Sequence, residues 1–157
     1  MINKFISQFT DSHLNNIVKI GRCHYQIQPE LKELMDTVKR NSKRDPSYAG
    51  LFLGEEKGKV FSPSLALLDI LGHASEKWVM VDDKSEWLFL CGRDIFAGSV
   101  IKANVPSGLV LVVNRNMEVL GYGKITGRID NLDRMFVKNI LDKGDYLRRE
   151  MTKRKHN

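Results

Sequence analysis

Cysteine, long apolar runs and catalytic signatures are what this chain has least of. Cys23 and Cys91 stand far apart, which supports neither a disulfide framework nor a CxxC redox or zinc pair. Reduced thiols in a cytoplasmic setting are the expectation. No apolar run approaches the ~20 residues that a membrane span requires, so no membrane partner is expected. The opening MINKFISQFTDSHLNN turns polar where a secretory signal would enter an apolar stretch, which again predicts a cytoplasmic protein. His13, His24, His73 and His156 form no HExxH spacing, alone or with the cysteines, and no metal site is expected. GYGKITG has glycines spaced GxGxxxG, and Lys124 is followed by Ile125 where a phosphate loop needs Ser or Thr. Gly121 and Gly123 are expected to let a strand bend or a second backbone come close. No GxSxG elbow occurs. Asp82 and Asp83 in VDDKSE read as solvated charge in a turn. No catalytic residue and no cofactor is expected.

What the chain does have is a core-forming composition and a lopsided charge. Its 157 residues, 42% hydrophobic and 28% charged, suffice for one ordinary domain or two small ones. Net charge is +6. The closing KGDYLRREMTKRKHN holds Lys143, Arg148, Arg149, Lys153, Arg154 and Lys155 against Asp145 and Glu150, so most of the excess sits at one end. A concentrated positive surface attracts phosphates, whereas a dispersed one mainly aids solubility. Tyr146 and Leu147 are expected to anchor the start of this basic segment, and arginine's planar fork suits phosphate oxygens and unpaired bases. A solvated terminus is the competing reading.

Periodicity divides the chain in two. Leu14, Ile17 and Val18, with Thr10 or Asp11 before them and Gly21 after, predict a short amphipathic helix over 11–20. RCHYQIQ alternates like a strand. Leu31, Leu34, Met35 and Val38 predict a helix opened by Pro29 and packed on a sheet. KRNSKRDPSYAG reads as a loop, and GLFLGEEKGKVF as two strands around a glycine turn. Ser62 as cap, Pro63 in the first turn and Gly72 past the end predict a third helix, SPSLALLDIL. After Gly72 come KWVMV, WLFLC, SVIKA, LVLVV and MEVLGYGKI, read as short strands of a small barrel or sandwich. The expected division is an N-terminal α/β domain over 1–73 and a β-rich domain over 74–157.

WLFLCGRDIFAGSV, LVLVVNRNMEVLGYGKI and FVKNILDKGDYLRRE together resemble a PUA domain, an RNA-binding module. Gly92 to Val100 corresponds to the glycine-centred signature, with Gly98-Ser99 where many PUA domains have Pro-Gly. YAGLFLGEEKGKVFSPSLALLDIL directly before it is similar to the Nip-seven family of large-subunit ribosome-biogenesis proteins, and the short length resembles the archaeal members. The resemblance implies an α+β fold: an α/β domain built on an antiparallel sheet with flanking helices, then a PUA-type β pseudo-barrel. It implies a non-catalytic RNA-binding monomer that holds precursor rRNA in pre-ribosomal particles with other assembly factors, nucleolar if the source is eukaryotic. The family's basic cluster falls on Arg148, Arg149 and Lys155, with Thr152 at a position expected to be basic and Lys153 or Arg154 beside it. Lys138 and Arg93 are expected on the same face. Two alternatives remain at this point: an accessory PUA protein of an RNA-modification system, and a protein-interaction scaffold with incidental RNA contact.

Overall fold

A computed structural model of the chain describes residues 1–42, 46–145, 148 and 149. Two compact units are present, Met1–Ile70 and Leu71–Asn157. Among the described residues no helix is long and apolar enough to cross a membrane.

The first unit opens with α1 (Ile2–Ile6), a helix that the sequence reading did not anticipate. Ile2, Phe5, Ile6 and Phe9 are all buried, and the Phe5 ring lies 5.2 Å from Phe9 and 5.4 Å from Phe61. The helix predicted over 11–20 does not form. Asn16 takes a positive φ of 58°, which ends any helical path, and β1 (Ile17–Ile20) pairs with β2 (Cys23–Gln26) instead. Gly21, read as a helix stop, occupies the two-residue hairpin turn at φ 58°.

The helix opened by Pro29 is α2 (Pro29–Ser42). Leu31 and Met35 pack against Tyr25, Ile27 and Ala49, whereas Leu34 and Val38 are 58% and 44% exposed, so only half of its apolar stripe meets the core. β3 (Leu51–Lys57) and β4 (Val60–Pro63) complete an antiparallel sheet ordered β1-β2-β3-β4. The third helix, α3 (Leu65–Ala74), starts later than predicted, because Ser62 and Pro63 are the end of β4. Ser64 serves at its start: its Oγ accepts from Leu67 N at 3.1 Å and donates to Phe52 O at 2.7 Å. Gly72 lies inside this helix, not beyond it.

An ionic knot ties three strands of the first unit. Lys19 lies across from His24, and Glu56, two residues beyond His24's partner Gly54, reaches both. Lys19 Nζ donates to Glu56 at 2.5 Å, and His24 Nε2 lies 2.9 Å from its other oxygen. The Lys19 hydrogen bond, then that of His24, holds the Glu56 carboxyl down to about 2. A carboxylate whose folded value lies below its ordinary one, about 4.3, stabilises the fold above that ordinary value and ceases to do so as pH falls toward 2. Glu56→Gln is therefore expected to lower the melting temperature of the first unit at neutral pH. The gap to wild type should close between about pH 4.3 and 2, followed by NMR signals of residues 17–63 during heating; a gap independent of pH would contradict this.

In the second unit, β5 (Trp78–Val81), β6 (Ile95–Phe96), β7 (Val100–Ala103), β8 (Gly108–Val113), β9 (Val119–Ile125) and β10 (Met135–Asp142) form one sheet ordered β6-β10-β9-β8-β5-β7. The outermost strands, β6 and β7, are consecutive in the chain and joined by a single 3-10 turn, Ala97–Ser99, so the sheet curls into a nearly closed barrel. Val79, Val81, Phe89, Ile95, Val110, Val112 and Val137 fill it, each 2% exposed or less. Gly123 behaves as expected, since a Cβ there would lie 2.5 Å from Lys138 O across the β9–β10 pair.

WLFLC is not a strand. Residues Asp83–Leu90 form helix α4, capped by Asp82, whose carboxylate accepts from Ser85 N at 2.7 Å. Asp82 is thus a helix cap and not merely solvated charge. Ser85 and Phe89 form the buried face while Trp87 is 66% exposed, a helical pattern inside a run that looks uniformly apolar.

Candidate nucleic-acid interface

The end of α4 leaves carbonyl oxygens without helical partners, and side chains from the C-terminal part of the chain meet them. Asn139 Nδ2 donates to Phe89 O at 3.0 Å and to Asp142 at 3.2 Å. Arg148 Nη1 donates to Leu90 O and, at 3.0 Å, to Asp142 Oδ1; its Nη2 donates to Asp142 Oδ2 at 2.8 Å. Asp142 is 2% exposed, so this two-pronged pair sits at the barrel wall rather than in solvent. The hydrogen bonds to Asp142 push the guanidinium's pKa further up. A cation at a helix C-terminus also faces the negative end of the helix dipole.

Arg148, expected as a phosphate contact, is therefore engaged inside the protein, where it clasps the closing segment to α4. Arg149 pairs with Asp145 at 2.6 Å; its own side chain is 60% exposed, whereas the Asp145 carboxylate is largely buried. Lys153, Arg154 and Lys155, with the proposed anchors Tyr146 and Leu147, lie outside the described residues.

Lys138 is exposed on β10 and directly opposite Lys124 on β9. Neither forms an ion pair among the described residues. Like charges across adjacent strands repel, so this rung gains from an anion laid over it. In the sequence Lys124 stands out only as a lysine that fails the phosphate-loop pattern; the register against Lys138 is what marks it. Arg93 is exposed, and its carbonyl accepts from Asn139 Nδ2 at 3.4 Å, which places its main chain beside the residue that follows Lys138. Phe96, within the signature segment, is 50% exposed and pairs with Met135, itself 36% exposed. An exposed aromatic ring on the strand next to that of Lys138 offers a surface on which an unpaired base can stack. Among the described residues no group of three or more His, Cys, Asp or Glu is placed to hold a metal.

Residues 77–151 match the family model described as the UPF0113 PUA domain. The second unit is a PUA-type pseudo-barrel. Its curled six-stranded sheet is that of a PUA domain, and PUA domains generally bind RNA. A UPF0113 protein of Archaeoglobus fulgidus is 42% identical over 115 residues, which cover 69% of this chain and 66% of that protein. The chain thus spans just under two thirds of the length of this curated relative. A conserved PUA domain protein from Thermoplasma acidophilum superposes with a TM-score of 0.53 at 19% identity, over 77% of this chain and 93% of its own. A hypothetical protein from Pyrococcus horikoshii gives 0.50 at 18% identity, over 61% and 65%. At such identities these two structures show a likeness of fold and nothing more.

Proposed function

We propose that this chain is a non-catalytic RNA-binding protein whose PUA unit holds an unpaired stretch of RNA, and that the RNA is precursor rRNA in large-subunit assembly particles. The observation that carries RNA binding is the unneutralised Lys124–Lys138 rung; Phe96, exposed on the neighbouring strand β6, and Arg93 just before that strand add an aromatic ring and a cation. Arg149 and the basic residues 153–155 extend the charge. Arg148 is assigned a positioning role, since its donors face Asp142 and Leu90. The ribosomal assignment, with other assembly factors as partners, rests on the resemblance of YAGLFLGEEKGKVFSPSLALLDIL to the Nip-seven family.

If about four cations neutralise phosphates of single-stranded RNA, log affinity should fall with log salt at a slope of roughly −3. Fluorescence anisotropy of an unpaired oligoribonucleotide across a salt series reads this directly, and a slope near zero rejects the proposal. In-cell crosslinks should be richer in precursor rRNA than in transfer RNA; the reverse enrichment would move the chain toward an RNA-modification system. One observation favours an additional protein contact through the first unit: Leu34 and Val38 leave half of the α2 stripe uncovered in that unit.

A further inference from the structure

Two hollows flank the loop between β9 and β10. The first, of about 520 Å³, is lined by Val105 and Pro106 from the β7–β8 loop and by Gly127, Arg128, Ile129 and Phe136 among others. That size lies within the range of ordinary ligand pockets, about 300–1,000 Å³. Asn104 also lines it, but its amide is spent: Oδ1 accepts from Trp78 N at 2.9 Å and Nδ2 donates to Glu76 O. This hollow thus presents a mainly apolar wall held by a polar bracket. The second, of about 600 Å³, lies against the same loop and is lined by Thr126, Asn131, Arg128, Arg134 and Asp130, with Gly127 and Met135.

We propose that these paired hollows take one unpaired nucleotide of the bound RNA, its base against Val105, Pro106 and Ile129 and its phosphate on Arg128 and Arg134. The inference rests on the RNA-binding reading above and names a subsite for it. A base enters such a hollow only when it is out of a duplex stack, which makes the pocket selective for single strands. With the Asn104 amide engaged, its walls offer shape and apolar contact more than side-chain hydrogen bonds, so the identity of the base matters little. Arg128 is 87% exposed and pairs at 3.1 Å with Asp130, a surface pair easily exchanged for a phosphate. Arg134 is exposed and makes no ion pair among the described residues. The walls are set before any ligand arrives. Thr126 N donates to Phe136 O at 2.9 Å, Arg134 N donates to Asn131 O at 3.1 Å, and a Cβ on Gly127 would collide with the Met135 carbonyl. The hollow also adjoins the candidate interface, since Ala97 N, next to Phe96, donates to Arg134 O at 3.0 Å.

The test uses the full chain with an unpaired oligoribonucleotide, a fully double-stranded RNA and uridine 5′-monophosphate. Arg128→Ala with Arg134→Ala, which removes both phosphate contacts, and separately Val105→Glu, which sets a carboxylate in the apolar wall, should each weaken binding of the unpaired strand at least about tenfold. Binding of the duplex should change by less than about twofold. The mononucleotide should shift amide signals of residues 104–106 and 127–130. The exposed arginine pair guards against misfolding of the Val105 variant. If the arginine variant binds the unpaired strand like wild type and the mononucleotide moves none of those amides, the pocket is wrong while salt-dependent RNA binding by wild type stands. If wild type binds no RNA, both fall.

Discussion

Arg148→Ala is expected to destabilise the PUA unit by about 2–3 kcal/mol, with a fall in its melting temperature of roughly 10 °C. The substitution leaves the Asp142 carboxylate buried with its main countercharge gone, and it strips Leu90 O at the end of α4 of the guanidinium donor. Breaking a fully buried pair costs somewhat more; the 41% exposure of the Arg148 side chain lets water soften the loss. Arg149→Ala should cost less than Arg148→Ala, because the Arg149 side chain is 60% exposed and Asp145 keeps Arg148 3.9 Å away. Arg148→Lys should fall between, as an ammonium keeps the charge but cannot form both bonds to Asp142 and still reach Leu90 O. Urea and thermal unfolding distinguish the three. RNA affinity measured well below the melt should change by less than about threefold for Arg148→Ala. A large loss of affinity with unchanged stability would return this arginine to the phosphate contacts.

The opposite signature is expected of Lys124→Ala with Lys138→Ala. Removing two phosphate contacts should flatten the salt slope by about 1.4 and weaken binding at low salt by at least about tenfold. Stability should hold or rise by a few tenths of a kcal/mol, because two like charges no longer oppose each other across β9 and β10. Lys59→Ala, in the exposed turn between β3 and β4, serves as the control for net charge alone and should leave the slope nearly unchanged. Equal effects from the control and the pair would mean that the interface is diffuse and that the rung has no special place in it.

These two substitutions also show where sequence reading succeeds and where it stops. Two kinds of element were legible: α2 from its Leu31-to-Val38 stripe, and β3 and β4 from two apolar-containing runs around a glycine turn. Three elements were misread, each for its own reason, and the short apolar run WLFLC is the one that does not declare its own period. WLFLC looked like a strand until Asp82 is recognised as a cap on Ser85 N, and residues 11–20 looked helical because Gly21 serves a helix stop and a hairpin equally well. The missed α1 did carry a signal, Ile2, Phe5, Ile6 and Phe9 at helical spacing, in a stretch read only for a secretory signal. The site was less legible than the fold. A basic count makes Arg148 and Lys138 equivalent, and only the pairing partner separates them: Asp142, six residues before Arg148, and Lys124 across the sheet. Neither relationship is visible in composition, because both depend on which backbone segments become neighbours.

The strand orders of the two sheets imply different folding speeds. In the first unit every strand pairs with its successor in sequence. The PUA barrel must join β6 to β10 across some forty intervening positions and set β5 parallel to β8 with α4, β6 and β7 in between. Closing those longer loops costs entropy before any contact rewards it, so the barrel is the slower unit to assemble. A refolding chain is therefore expected to complete the meander of the first unit, and the local β9–β10 hairpin, before β6 reaches β10 and the barrel closes.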